Sequence, residues 1–397
     1  MFSKLTSSLQ RTRWALIFAC LSMFVLGLSD NIRGPLFPEL LKYFNLTNSQ
    51  GSLSFAFAST AAFFGNAAAA FILKRIQLDR LLAISILLMG AGLFAMGSAD
   101  TFAIYLIGAV VYGFSIGATG VAQNLLIAEN SAPEHQTRAL STLHGLYGLS
   151  SLVAPFLASR APTWFATHFS SVAVLSGWQS SFLLTSVLAV LIFFLILRTH
   201  SEPRFAPSIP HDEAIHGKRS PLSVLLWFAG FFASYVGAEI LVSTRLALYM
   251  RTYFNMSLES SSDYVTGFFI FLFIGRSFFI FKSFKLALKI QLNLSLGLSL
   301  LSLLLGLWLH PFFLALIGLT MAPFYPLAIV YISEITGFQK RRFLTFVMGL
   351  QSFCVIFMHA GVGYLTDKYG LFYAFYVGIF LLLGSILCLN LHPKVAD

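Results

Sequence analysis

Twelve separate apolar runs mark this chain, beginning near Trp14, Gly51, Leu81, Thr101, Ala139, Ser176, Leu222, Ser262, Ile290, Pro311, Phe343 and Gly370. A helix needs about 20 apolar residues to cross a hydrocarbon layer of about 30 Å, and little chain is left over between these runs. They do not alternate with a period of two, as the strands of an outer-membrane barrel would. Charge agrees: 10% of the residues are charged and 57% hydrophobic, where a dispersed soluble protein carries about a quarter charged. The expected fold is an all-α membrane protein with twelve transmembrane helices. The first run, Trp14 to Leu28, follows Lys4, Arg11 and Arg13 as a secretory leader would, but no small-x-small cleavage site follows it, so it is expected to stay as the first helix.

Several chemistries are argued against by what the runs contain. Cys20, Cys354 and Cys388 all fall inside apolar runs, which speaks against a disulfide framework or a thiolate metal site. His and acidic residues do not gather at metal-ligand spacing. No glycine-rich phosphate loop precedes a Lys-Ser/Thr pair, and no Ser-His-Asp set gathers at a membrane edge. Neither an enzyme nor a cofactor is expected, and neither is a metal. The net charge of +10 is explained by its distribution and not by a nucleic-acid partner. Gaps of even number between the runs hold Lys74, Arg75, Arg80, Arg138, Arg198, Arg276, Lys289, Lys340, Arg341 and Arg342, among others; gaps of odd number hold Lys42, Arg160, Arg251 and Lys368. By the positive-inside rule the former face the cytoplasm, as do both termini, which requires an even number of spans. The longest polar stretch, "RTHSEPRFAPSIPHDEAIHGKRS", reads as a cytoplasmic linker. Residues 1–197 are then expected to form an N-terminal six-helix bundle, 198–221 the linker, and 222–397 a C-terminal six-helix bundle.

The two halves repeat one another. "YFNLT" at Tyr43–Thr47 returns as "YFNMS" at Tyr253–Ser257, and at the same offset Gly27 falls on Gly237 and Gly65 on Gly275. At a slightly different offset "RALSTLHGL" from Arg138 echoes "RFLTFVMGL" from Arg342, and the "IAE" ending at Glu129 echoes the "ISE" ending at Glu334. Asn-x-Thr/Ser is also a glycosylation sequon, which accounts for the pentapeptides but not for the flanking glycines or the second echo. An internal duplication explains all of them. Two parallel six-helix halves are a transporter architecture, with the substrate site near the midplane.

Twelve spans, a 6+6 division and a basic central loop resemble the major facilitator superfamily of secondary transporters. Local strings resemble its fucose–galactose–glucose proton symporter branch: "SYVGAE" at Ser234–Glu239 followed by "RLALYM", "QGSLSFAFASTAAFFGN" from Gln50, "AQN" at Ala122–Asn124, "HGLYGLSSLVAP" from His144 and "APFYP" at Ala322–Pro326. Two departures stand out. The loop "FILKRIQLDRLL" keeps Lys74, Arg75, Asp79 and Arg80 but loses the glycines and the Asp-Arg spacing of the superfamily's loop between the second and third helices. The fourth helix carries the amides Gln123 and Asn124 where these sugar symporters can carry an acid.

Ionisable residues inside a span cost about 2.5–3.5 kcal/mol each on insertion scales and are functional candidates by default. Asp30 and Arg33 lie in the first span, Glu239 and Arg245 in the seventh, and Asp30 falls one residue from Glu239 under the repeat. A carboxyl in a low-dielectric cavity takes up a proton more readily than one in water, so Asp30 and Glu239 are the candidate proton carriers, with His144 as a relay. A structural ion pair, Asp30 with Arg33 or with Arg245, is the plain alternative. His359 is a further histidine within a span. Gln123, Asn124 and Gln351 must find hydrogen-bond partners in the membrane and are candidate solute contacts. So are Tyr147, which can stack on a sugar ring, and Arg33 and Arg245, which can hold an anionic group. The sequence thus describes a transporter working by alternating access on a small polar organic molecule such as a monosaccharide, coupled to protons or sodium. It is expected as a monomer in a lipid bilayer, in a cell membrane of the bacterial inner-membrane type. The rivals are a proton-driven exporter of drugs or amphiphiles and, more remotely, a multi-pass membrane enzyme or sensor.

Overall fold

The computed structural model describes residues 2–131, 133–168, 177–198, 220–281 and 286–393. The expected linker at 198–221 lies outside the described residues except at its ends. Among the described residues the chain is helical throughout, in the order α1 (Phe2–Asn31), α2 (Arg33–Tyr43), α3 (Asn48–Ile72), α4 (Leu78–Gly97), α5 (Phe102–Asn130), α6 (Pro133–His168), α7 (Gln179–Arg198) and α8 (Leu222–Phe254). There follow α9 (Leu258–Phe281), α10 (Leu288–Trp308), α11 (Phe312–Met321), α12 (Phe324–Thr336), α13 (Lys340–Tyr369), α14 (Leu371–Ala374) and α15 (Tyr376–Leu391). Among the described residues eleven stretches are long and apolar enough to cross a membrane. The twelfth span is α9, whose 24 residues reach about 36 Å at 1.5 Å per residue while carrying Glu259, Asp263 and Arg276. Helices satisfy most of their backbone groups within themselves, as lipid demands. Large apolar side chains such as Phe357 (71% exposed) and Phe380 (70%) point outward, where the solvent is acyl chain.

Two compact units organise these helices. The first comprises Met1–Arg33 and Phe57–His211, the second Gly34–Ala56 and Asp212–Asp397. Inside the first unit α1 packs on α6, α4 on α5, and α4 on α7; inside the second α8 packs on α13, α10 on α11, and α10 on α15. These are the same neighbours in span order, so the internal echo of the sequence is also an echo of packing. Glycine sets the closest approaches in both. A Cβ on Gly113 of α5 would run into the Ala58 carbonyl of α3, and one on Gly318 of α11 into the Phe268 carbonyl of α9. Small residues at such crossings let the two backbones touch, which is how helices pack in lipid.

The repeated pentapeptide turns out to be a corner that stops one helix and starts the next. Among the described residues Asn45 and Asn255 are the two non-glycine residues with positive φ, at 51° and 49°. Asparagine tolerates this left-handed conformation and ends a helix with it; Asn255 is the C-cap of α8. Two residues on, the Gln50 amide donates to Thr47 Oγ1 and the Ser260 amide to Ser257 Oγ, at 3.2 Å in each case. These are N-caps of α3 and α9, and Gln50 Oε1 reaches back to the Thr47 amide (3.0 Å) to complete a capping box.

Candidate functional site

The first span breaks close to its charged residues. Pro35 has no amide hydrogen for the Asn31 carbonyl, nor Pro38 for that of Gly34, so α1 ends at Asn31 and α2 begins at Arg33. Asp30 is held on the last turn of α1 between two partners. The Tyr147 hydroxyl of α6 donates to Asp30 Oδ2 at 2.9 Å, and the Arg33 guanidinium lies 3.5 Å from Oδ1. Arg33 is only 7% exposed and covers the Tyr112 ring at 5.4 Å. The neighbouring Asn31 amide donates to the Gly27 carbonyl (2.8 Å) and to Ser151 Oγ of α6 (3.0 Å). Gly27 permits this closeness, because a Cβ there would collide with Ser150 and the Tyr147 ring. Asp30 itself remains 39% exposed, so a carboxylate oriented by Tyr147 and Arg33 stays accessible.

A second arrangement of the same kind stands in the other unit. Glu239 of α8 has Tyr235 Oη at 2.6 Å from its Oε2, one helical turn away, and the Arg276 guanidinium of α9 at 3.4 Å from its Oε1. Tyr235 Oη also lies 2.7 Å from the Met321 carbonyl oxygen, at the end of α11. Its ring stacks on Phe324, the first residue of α12, with centroids 3.7 Å apart and planes at 15°. Glu239 is 19% exposed and Tyr235 fully buried. Each unit therefore holds a carboxyl gripped by one tyrosine hydroxyl and one guanidinium.

Arg245 belongs to a different cluster. It is 1% exposed, with its guanidinium 4.1 Å from the Phe37 ring centroid and 5.0 Å from that of Phe55, and it donates to Ser52 Oγ at 2.9 Å. His359 stacks on Phe55, with centroids 4.7 Å apart and planes at 21°. Nearby in the same unit Arg251 pairs with Glu39. Asp367 accepts from the Asn48 amide (2.8 Å), the Asn48 side chain (3.0 Å) and the Ser49 amide (2.7 Å), at the N-terminus of α3.

The remaining candidates are dispersed. Gln123 is fully buried in α5, its Oε1 accepting from Ser22 at 3.2 Å, while its amide nitrogen and the Thr119 hydroxyl one turn away meet no hydrogen-bond partner among the described residues. Asn124 donates to the Gly120 carbonyl of its own helix at 2.7 Å. Gln351 is half-buried on α13 with its oxygen enclosed, and His144 is exposed on α6 three residues before Tyr147. The structure thus gathers Asp30, Arg33 and Tyr147. The sequence placed Arg276 among loop charges; it lies within α9 and pairs with Glu239, and only the glycine before it, matching Gly65 in the repeat, marked that stretch as span. The three cysteines stand as free thiols, and no group of three metal-ligating side chains occurs among the described residues.

The sequence profile described as Major Facilitator Superfamily matches residues 19–355. Sodium-dependent glucose transporter 1 of Xenopus laevis is 26% identical over 365 residues, covering 85% of this chain and 73% of that protein. The crystal structure of a D-xylose-proton symporter superposes with a TM-score of 0.74 at 15% identity, over 96% of this chain and 98% of that one. FucP, a transporter crystallised in the outward conformation, gives 0.62 at 16% identity, over 96% and 99%. At such identities the solved structures speak for the fold alone.

Proposed function

Because the chain belongs to the Major Facilitator Superfamily, we propose that this multi-pass membrane transporter moves a monosaccharide by alternating access, coupled to a cation taken up at Asp30 and Glu239. The observation that carries the reading is the pair of matched arrangements, a carboxyl with one tyrosine hydroxyl and one guanidinium in each unit. Such a carboxyl can exchange a proton for its partners' hydrogen bonds without leaving a bare charge in lipid. Glucose and xylose transporters among the similar proteins support a sugar as the solute. In the first unit Gln123, Asn124 and Tyr147 carry amides and a ring face of the kind a hydroxyl-rich molecule needs, and in the second Gln351 carries a further amide. His144 would serve as a relay toward Asp30, and both termini would face the cytoplasm of a cell membrane, the protein working as a monomer.

We favour the proton over sodium because each carboxyl already stands against one hydroxyl and one guanidinium, whereas a hard cation wants several oxygens converging on one point. The test is uptake of radiolabelled glucose, xylose and fucose into proteoliposomes under an imposed proton or sodium gradient. Accumulation driven by the proton gradient is expected. Asp30→Asn and Glu239→Gln should each lower it at least about tenfold, the cost of losing one charge-assisted partner, while gradient-free sugar exchange continues. Accumulation that follows sodium alone would transfer the same carboxyls to sodium coupling. Expulsion of a cationic dye with no sugar movement would overturn the sugar assignment in favour of an exporter.

A further inference from the structure

Three oxygens in the second unit stand in a row: Glu239 Oε2, Tyr235 Oη 2.6 Å from it, and the Met321 carbonyl 2.7 Å beyond. A phenol has one hydrogen and a backbone carbonyl has none. Both contacts are full two-centre hydrogen bonds at once only when Glu239 contributes a second hydrogen. With Glu239 as a carboxylate, one contact would set lone pair against lone pair around a hydroxyl that is fully buried. The guanidinium agrees with this count. Arg276 stands 3.4 Å from Oε1, looser than the about 2.7–2.9 Å of a charge-assisted bond.

The carbonyl at the end of this row sits where the tenth span is broken. α11 stops at Met321 and α12 starts at Phe324. Pro323 and Pro326 withhold the amide hydrogens that would serve the carbonyls of Leu319 and Ala322. At a break so short of donors the Tyr235 hydroxyl serves Met321 from another helix, and its ring is stacked on the first residue across the break.

We propose that Tyr235 couples the protonation of Glu239 to the break in the tenth span. With a hydrogen on Glu239, the carboxyl donates to Tyr235 and the Tyr235 hydroxyl donates to the Met321 carbonyl. When that proton leaves to water, the Tyr235 hydrogen turns to the carboxylate, Met321 is released, and the charge on Glu239 is met by Arg276. Tyr235 reorients but is never itself deprotonated, so it is a positioning residue. The other titratable group facing Glu239 is the Tyr325 hydroxyl from α12; the Cys354 thiol of α13 lies against Gly237, two residues away on α8, and α11 and α15 carry no charged side chain. This deepens the preceding reading and rests on Glu239 being a group that gains and loses the proton.

The test is hydrogen–deuterium exchange on the full chain across a pH series, corrected for intrinsic exchange, following peptides that span α11 and α12. In the wild type, protection around 322–327 should step down about fivefold to tenfold as pH rises, the weight of one buried hydrogen bond. Tyr235→Phe keeps the ring stacked on Phe324 and should show the low protection at every pH. Glu239→Gln, whose amide always donates to Tyr235, should keep the high protection at every pH. A step in Tyr235→Phe matching that of the wild type overturns the inference, because a merely structural tyrosine would leave the step in place. A step that persists in Glu239→Gln overturns it as well, and that variant carries the test should Tyr235→Phe fail to fold. Steps that behave as described with no sugar moved support the coupling and count only against the solute assignment.

Discussion

Arg245 shows how a single side chain can carry structural weight in a membrane span. Its guanidinium lies against the Phe37 and Phe55 rings and donates to Ser52, at 1% exposure. A desolvated cation over aromatic faces contributes about 2 kcal/mol or more, and a planar guanidinium does this where a compact ammonium cannot. Arg245→Lys is therefore expected to lower the midpoint of thermal unfolding in detergent by several degrees, about 2 kcal/mol in stability; an unchanged midpoint would show that the rings contribute nothing. The same side chain marks a limit of reading from sequence. That Arg245 sits in a span was plain from its apolar neighbours. That its surroundings are Phe37, Phe55 and Ser52 was not, because those residues lie some two hundred positions away in the chain. Glu239 teaches the same lesson. Its value as an intramembrane acid was legible, but Arg276 looked like a loop charge until α9 placed it within reach.

At the scale of elements, the helices were legible because each start is written locally. An apolar run long enough to cross lipid fixes where a span lies, and most spans begin within about four residues of the expected positions, whereas α1 starts at Phe2, twelve residues before Trp14, and α6 at Pro133, six before Ala139. The YFN corners were legible as a repeat but not as a mechanism, since the left-handed asparagine and the capping hydroxyl are statements about backbone angles. Packing between helices was the least legible, because it depends on which glycine meets which backbone. Gly113 and Gly120 lie on the same helix, yet a Cβ at Gly113 would strike the Ala58 backbone while one at Gly120 meets nothing among the described residues. Gly113→Ala should accordingly cut the yield of folded, monodisperse protein severalfold, the overpacking cost being about 1–3 kcal/mol. Gly120→Ala should be tolerated, so the pair is read by size-exclusion chromatography of the two variants side by side. Equal behaviour would mean that α3 and α5 can slide apart at little cost.

For the molecule as a whole, the course of the chain between its units matters most. Gly34–Ala56 packs as part of the second unit although the residues on both sides of it, Met1–Arg33 and Phe57–His211, belong to the first. Its polar contacts there are the Asp367 clamp on Asn48 and Ser49, the Arg251–Glu39 pair and the Arg245–Ser52 bond, beside the packing of Phe37 and Phe55. If alternating access parts this segment from the rest of the second unit, these contacts break in every cycle. A disulfide between Asn48→Cys and Asp367→Cys, made with Cys20, Cys354 and Cys388 replaced by Ala, should then block sugar uptake, and a reductant should restore it. Uptake undiminished by the bridge would mean that this segment travels with the second unit throughout.

That crossing segment also makes one half a debtor to the other. A chain cut in the linker would leave its C-terminal fragment with a guanidinium whose aromatic walls and hydroxyl had been carried off by the N-terminal one. The fragment could not close its own interior, and the two pieces would have to meet before either was whole.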